Sequence, residues 1–399
     1  MPALSSLSPF RLPPGARLSL FYAALFTVVG VQLPYWPLWL QAQEVTPGQI
    51  GILLAVGFWA KVLANPLIGR AVDVYGRRRG PMIVLATVAL LAYALFAVAD
   101  GFAALLVLSI LSTAAFAALM PLGENVTLLT AYEKRLDYGR IRLWGSLTFI
   151  GGSLLGGRLL LDLPVDVILW AILGGLGLTI GACVLLPDVR TRSAADDAPP
   201  PPLAPLLRQP AVITFLAAAA LLQASHAAYY GFATLHWRAA GLSEALIGVL
   251  WAIGVVAEIV LFAFGNRVVE RFGPARLLLL GGAGGALRWS VLALTTSPWL
   301  VAPVQTLHAL TFGAIHLGAM HFIARAVPPE CSGRVQAIYS SVALGAGMGL
   351  AMGLTGRLFE TGGGTAAFAA MAGLSVAGMA VARLLAARWT GGRLPVTSK

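Results

Sequence analysis

A handful of ionisable side chains stand where their neighbours are almost all apolar: Lys61, Glu124, Arg142, His226, Glu258, Arg288, His308, His316 and His321. A charge in such surroundings is costly to desolvate. It is kept where it meets a partner or does work, such as holding a charged ligand or relaying a proton. Spacing adds to this. His308 and His316 follow one helix face, with Phe312 between them, over about 12 Å, and His321 lies about 140° round from His316. Gln223, His226, Tyr229 and Tyr230 share a second polar and aromatic face. A histidine so placed lines a cavity or serves as a hydrogen-bonded packing residue, and both readings stay open for the pair. No spacing suits a metal, no nucleophile–base set converges, and Cys183 and Cys331 suggest no disulfide framework.

The elements that must position these groups are apolar runs at roughly 17–41, 48–70, 80–99, 102–130, 139–161, 166–186, 211–237, 244–265, 276–294, 299–326, 335–357 and 366–389. Hydrophobic residues make up 58% of the 399 and charged residues 11%, against about 25% charged in a soluble domain. A helix crosses a bilayer with about 20 apolar residues, so twelve crossings and short loops fill the chain. Lipid offers the backbone no hydrogen-bond partner, which makes the runs helices and the fold class all-α integral membrane. The net charge of +11 sits in short clusters between the runs and not on one face, which excludes a nucleic-acid partner.

An even number of crossings places both termini on one side, and the Lys/Arg bias makes that side cytoplasmic. Of the 27 cations, only Arg158, Arg238 and Arg357 fall on the other face, with Lys61 and Arg288 inside runs. Residues 1–16 then form a cytoplasmic tail, 17–186 a first six-helix bundle, 187–210 a Pro-rich cytoplasmic linker, 211–389 a second bundle and 390–399 a second tail. The bundles are related. Moving position 50 onto 247 lays IGILLAVGFWAK on IGVLWAIGVVAE, half of the positions being identical, and carries Asp73 onto Glu270 and Gly76 onto Gly273. Repeated halves with a site between them are the sequence sign of a secondary transporter. The same shift puts Lys61 and Glu258 at equivalent points. Facing across a cavity, they would ion-pair with a substrate or with each other, or they form a structural pair that fixes helix packing.

The stretch GRAVDVYGRRR (69–79) resembles the major facilitator signature between the second and third helices. That resemblance implies a gating motif: Gly69 for close helix approach, Asp73 meeting helix ends or arginines, Gly76 for the turn, and Arg77 and Arg78 at the cytoplasmic surface. The second copy, NRVVERFGPAR (266–276), keeps Glu270 and Gly273 but has Asn266 in place of the first glycine.

Further blocks, DYGRIRLWGS (137–146), ASHAAYYGF (224–232), LWAIGVVAEIVLF (250–262), ALRW (286–289) and QTLHALTFGAIHLGAM (305–320), resemble the bacterial 3-phenylpropionic acid transporter family, near the lactose permease branch. The resemblance implies the major facilitator fold, with two pseudo-symmetric bundles of six helices each. It implies a proton-coupled importer of a small aromatic carboxylate such as 3-phenylpropionate, working by alternating access. The proton gradient is the driving force, with no cofactor and no enzymatic activity, and the expected form is a monomer in the inner membrane. From the lactose permease branch, roles fall on Glu124 paired with Arg142, on Glu258, Arg288 and, more loosely, His316. The branch's proton-binding Glu is replaced by Ala319, so Glu258 is the expected proton site, with Arg288 and His316. As the bundles rock, Glu258 is expected to alternate between protonated and ionised states, low-dielectric burial favouring the first and an approaching guanidinium the second.

The substrate cavity is expected to draw on Lys61, Glu124, Arg142, Gln223, His226, Tyr229, Tyr230 and His308, and a phenyl ring could lie on Trp36, Trp59, Tyr229, Tyr230 or Trp251. A proton-coupled sugar or nucleoside symporter shares this polar inventory and remains an alternative. A drug/proton antiporter is disfavoured because helix 5 reads GSLTFIGGSLLGG (145–157) without the proline of that group. A membrane enzyme or receptor would need catalytic clusters or sizeable segments outside the lipid.

Overall fold

The computed structural model describes residues 12–189 and 202–395, and the side chains within them except those of Asp73 and Tyr75. The expected N-terminal tail as far as residue 11, the linker from 190 to 201 and residues 396–399 lie outside the described residues.

Every regular element among the described residues is a helix. The first half consists of α1 (Pro14–Ala42), α2 (Pro47–Tyr75), α3 (Arg79–Phe96), α4 (Gly101–Lys134), α5 (Tyr138–Asp162) and α6 (Val167–Leu185). The second half follows with α7 (Pro210–Ala239), α8 (Glu244–Ala263), α9 (Gly265–Leu294) and α10 (Pro298–Ala326). A last segment, Pro329–Arg388, bends at Gly363 into α11 (329–362) and α12 (364–388). Ten helical segments are long and apolar enough to cross a membrane. The expected twelve passages are reached by taking the two arms of the last segment separately and adding α5, whose arginines and glycines lower its hydropathy. Large apolar side chains point outward along the helices, among them Leu91, Leu155, Trp170, Leu178 and Leu350, as lipid contact requires.

Local sequence explains the starts of the helices. Thr46 and Gln49 form a reciprocal capping box on α2, with Pro47 at the first helical position. Asp137 accepts from the Arg140 N–H at the start of α5, and Ser243 from the Leu246 N–H at the start of α8. The repeat between the halves extends to one backbone angle, though ψ differs, 5° at Gly76 and 165° at Gly273. Gly76, which ends α2, and Gly273, in the kink that precedes the main run of α9, both have φ 71°. Side chains with a Cβ rarely adopt that value, which accounts for glycine at both places.

The halves touch most closely at one end, through glycines. A Cβ on Gly51 of α2 would stand 2.8 Å from the Cα of Gly356 in α11, and one on Gly157 of α5 would stand 2.3 Å from the Glu244 carbonyl oxygen of α8. The Tyr35 hydroxyl adds to this seam, donating to the Ser153 carbonyl at 2.7 Å with the Glu244 carbonyl at 3.5 Å. Within the first half, Gly30 and Gly152 bring α1 and α5 into backbone contact, and Ser153 Oγ donates to the Gly30 carbonyl at 3.1 Å. The glycine run of α5 is thus a packing surface on both of its sides. Toward the arginine-rich end the halves separate around a chamber of about 620 Å³, lined by α2, α4, the start of α3 and α11.

Gly51→Val should overpack the α2–α11 seam at a cost of about 1–3 kcal/mol. The expected result is faster hydrogen exchange over residues 47–56 and 349–360, with unchanged yield of inserted protein. Exchange no faster than in the parent would show that these two backbones do not need to meet.

Candidate functional site

The most deeply buried charge is Arg288 of α9, which has no solvent exposure. Its guanidinium donates from Nη2 to Gln305 Oε1 at 2.6 Å and from Nη1 to Thr311 Oγ1 at 3.0 Å, and Nη1 lies 3.1 Å from His308 Nδ1. The rings of Tyr229 and Trp289 cover it, with centroids 4.3 and 4.6 Å from its central carbon, a cation–π arrangement suited to a weakly hydrated planar cation. The backbone yields around this point. α7 is interrupted at Ser225–His226, and α10 is irregular at Thr306–Leu307 and π-helical over Ala309–Ala314. Such breaks at membrane depth occur where protein groups satisfy the freed backbone. Here Ser225 Oγ donates to the Leu222 carbonyl and accepts from Trp289 Nε1.

His308 joins Arg288 to Glu258, its Nε2 lying 3.3 Å from Glu258 Oε2. Arginine has donors only, so the Nδ1 that faces it must accept. The ring proton of neutral His308 then sits on Nε2, pointing at the Glu258 carboxylate. A second proton on His308 would set an N–H against an N–H of Arg288. Arg142 and His316 lie within electrostatic reach of Glu258. His308, Phe312 and His316 form a ladder of stacked rings with centroids 5.5 and 6.0 Å apart, matching the single face expected from their spacing.

Several sequence expectations change at this level. His316 does not touch Arg288; it packs on Phe312 and against Phe262, and His308 takes the bridging position, because the π-helical turn follows His308 directly. Lys61 and Glu258 form no ion pair. The Lys61 ammonium lies 3.9 Å from the centroid of the Phe58 ring, and among the described residues it has no carboxylate partner. Glu124 accepts from the Tyr138 hydroxyl instead of pairing directly with Arg142, whose guanidinium lies over Phe26 at 4.2 Å. Gln223 is buried, donates to the Tyr339 hydroxyl at 3.4 Å and lines neither of the two cavities at Lys61. A Cβ on Gly69 would meet nothing within 4 Å, because this glycine borders the open chamber in place of a neighbouring helix. Arg78 is buried, 5% exposed, and lines the same chamber, whereas Arg77 and Glu270 are exposed. Asp73 lies in the last turn of α2, its side chain outside those described.

Two cavities meet at Lys61. The chamber of about 620 Å³ adds Asn65, Arg78, Glu124, Asn125, Ser340 and Ser341 to it. The other, of about 200 Å³, is enclosed by Trp36, Phe58, Tyr93, Phe116, Tyr230 and Met352, with Gln32, Ser109, Ser112 and Thr113 as its other polar side chains. Of the aromatic residues expected to receive a ring, Trp36 and Tyr230 border this pocket. Trp59 packs against Gly349, and Tyr229 and Trp251 stack on each other at 4.3 Å beside Arg288. Tyr230 links the pocket to the buried chain: its ring stacks on His226 at 5.3 Å, and His226 meets His308 edge-on at 6.0 Å. The enclosure itself escaped the sequence reading, since Phe58, Tyr93, Phe116 and Met352 read there only as apolar positions of four helices.

Two halves of crossing helices, closed together at one end and enclosing an internal cavity beside buried charges, define a multi-pass membrane transporter. The sequence profile of the MFS_1 like family matches residues 16–370, and the chain belongs to that family. It is 35% identical over 347 residues to the "Probable 3-phenylpropionic acid transporter" of Escherichia coli (strain K12), covering 86% of this chain and 90% of the relative. It is 27% identical to the maltose permease of Geobacillus stearothermophilus, covering 92% of this chain and 94% of that one. In fold it is similar to a crystal structure of the nucleoside transporter NupG, with a TM-score of 0.81 at 14% identity, covering 95% of this chain and 100% of that one. A bacterial homologue of the human lysosomal transporter Spinster, in an inward-facing and unoccupied conformation, gives a TM-score of 0.73 at 14% identity, covering 96% of this chain and 97% of that one. The major facilitator fold expected from the sequence is therefore present.

Arg288→Lys removes the planar fork that serves Gln305, His308 and Thr311 together. It should lower the thermal midpoint of the purified protein in detergent, by the equivalent of about 1–3 kcal/mol for each acceptor left unfilled. A midpoint equal to the parent's would show that a point charge suffices at this position.

Proposed function

We propose that the chain imports a small aromatic carboxylate such as 3-phenylpropionate together with a proton, by alternating access between the halves 17–186 and 211–389. The observation that carries this reading is the pocket of about 200 Å³, an aromatic enclosure with one ammonium, Lys61, at its border. A dry apolar cavity of roughly 150 Å³ accommodates benzene, so the space suits a phenyl ring with a short acidic chain. The printed name of the Escherichia coli relative favours the same substrate class.

Charge balance explains the coupling. An anion bound at Lys61 and a proton bound at Glu258 together add no net charge to the low-dielectric interior, whereas either alone does. The proton gradient supplies the driving force, and no cofactor is needed. The route between the two sites runs through Tyr230 and His226 to His308. With the arginine-rich end cytoplasmic, the glycine seam closes the outer side and the chamber leads inward, so the conformation is inward-open. The carboxylate then passes from the pocket to the chamber while still on Lys61, and Glu124, Arg142, Asn65 and Asn125 form the polar surroundings into which it is released. Gly69, Asp73, Gly76, Arg77 and Arg78, with Glu270 and Gly273 of the second copy, act in gating at the cytoplasmic end. The working form is a monomer in the bacterial inner membrane with both termini inside.

Uptake of labelled aromatic acids, sugars and nucleosides into proteoliposomes, with and without an inward proton gradient, tests the reading. Gradient-dependent uptake of the aromatic acid is expected; uptake of a sugar and of no carboxylate would overturn the substrate class. Glu258→Gln should abolish accumulation against a gradient while leaving substrate exchange intact, and undiminished accumulation would remove Glu258 from the proton role. Lys61→Met should raise the half-saturation concentration for the acid by roughly 10- to 100-fold, as for the loss of a hydrogen bond to a charged group.

A further inference from the structure

The aromatic pocket has two polar ends, and the carboxylate reading uses only one. A direct contact sets the register of its walls: a Cβ on Gly57 of α2 would stand 3.0 Å from Thr113 Oγ1 of α4. Both helices run in the same direction. Lys61 lies one turn from Gly57 toward the chamber, and Ser109 lies one turn from Thr113 the other way. Along the axes the Cα of Ser109 is thus about 11 Å from that of Lys61, and that of Ser112, next to Thr113, about 7 Å from it. On the walls that α1, α3 and α4 contribute, Gln32 Nε2 donates to the Tyr93 hydroxyl, which also meets Ser112, and Gln32, Tyr93, Ser109 and Ser112 all border the cavity. The Gln32 amide uses one N–H on Tyr93. Its second N–H and its carbonyl oxygen have no partner among the described residues, and they stand beside the rings of Trp36 and Tyr93. An apolar ring end would need nothing of this kind, and covering a free amide with a C–H edge forfeits its hydrogen bonds.

We propose that this group is a second subsite that takes a hydroxyl on the far edge of the substrate ring, so that the preferred substrates are phenolic acids with the hydroxyl opposite the acidic chain. The inference rests on the carboxylate being held at Lys61. The phenol O–H donates to the Gln32 carbonyl oxygen, and its oxygen accepts from the remaining amide N–H. Rings without the hydroxyl still fit, since the aromatic walls are unchanged, but they leave the amide uncovered. Tyr93 and Ser112 act as positioning residues, holding the amide with its free atoms toward the cavity.

Competition against labelled 3-phenylpropionate uptake in proteoliposomes tests this with two unlabelled acids, 3-(4-hydroxyphenyl)propionate and 3-(4-methylphenyl)propionate, which differ at the ring edge in polarity more than in size. The hydroxylated acid is expected to compete at a roughly five- to tenfold lower concentration than the methylated one, the scale of one net hydrogen bond. Gln32→Met should remove that preference, the ratio of the two competing concentrations falling to about one whatever the variant's own rate of uptake. Tyr93→Phe, which releases the amide from its anchor, should weaken the preference in the same direction. Equal competition by the two acids in the parent protein, or a preference that survives in both variants, overturns the subsite and leaves the carboxylate reading standing. Failure of all three acids to be taken up or to compete overturns that reading and the subsite with it.

Discussion

A guanidinium with no solvent exposure has to be compensated entirely by protein, and in this chain the compensation of Arg288 organises much of the second half. Three acceptors from one helix, two aromatic faces and a carboxylate one imidazole away take the place of water. Supplying them requires α10 to depart from α-helical geometry and α7 to break beside His226, because regular helices would not turn Gln305, His308 and Thr311 toward one point. The indirect link to Glu258 matters as much as the burial. A direct pair would bring carboxylate and guanidinium into contact, whereas here an imidazole stands between them, meeting Arg288 with one ring nitrogen and Glu258 with the other.

The two halves have diverged around this constraint. The second carries the buried charge chain; the first supplies most of the walls of the aromatic pocket and of the chamber, with the Lys61 ammonium between them. Tyr230 and Met352 are where the second half enters the wall of the pocket. The rings of Tyr230, His226 and His308 form a packed route from the pocket to the buried charges.

Much of the fold was legible in the sequence, because a membrane core imposes a coarse rule: long apolar runs are helices, and arginines mark one face. The internal repeat was legible down to Gly76 and Gly273, whose shared backbone angle is a physical reason for glycine at both positions. The site was legible as a set of misplaced charges, since Lys61, Glu124, Arg142, Glu258 and Arg288 stand out against apolar neighbours. Their partners were not. Whether His308 or His316 meets Arg288 depends on a local widening of α10 that periodicity at 3.6 residues per turn does not reveal. Lys61 and Glu258 are equivalent by sequence, yet equivalence in a repeat fixes depth, not contact. The aromatic pocket was hidden for a similar reason: its walls come from six helices, and each contributes residues that also serve as ordinary packing.

The glycine seam has a consequence for switching. Gly51 against Gly356 and Gly157 against Glu244 bring backbones together, with the Tyr35 hydroxyl 3.5 Å from the Glu244 carbonyl beside them, so parting them exchanges mainly dispersion contacts. Surfaces that separate without breaking strong hydrogen bonds or ion pairs leave the two end states close in free energy. Where the gap is small, a modest difference in ligand affinity between the states is enough to invert their populations. Bulkier residues along these stripes would lock the halves together or hold them apart, and what the glycines preserve is the near-degeneracy that lets a weakly held cargo decide which way the molecule faces.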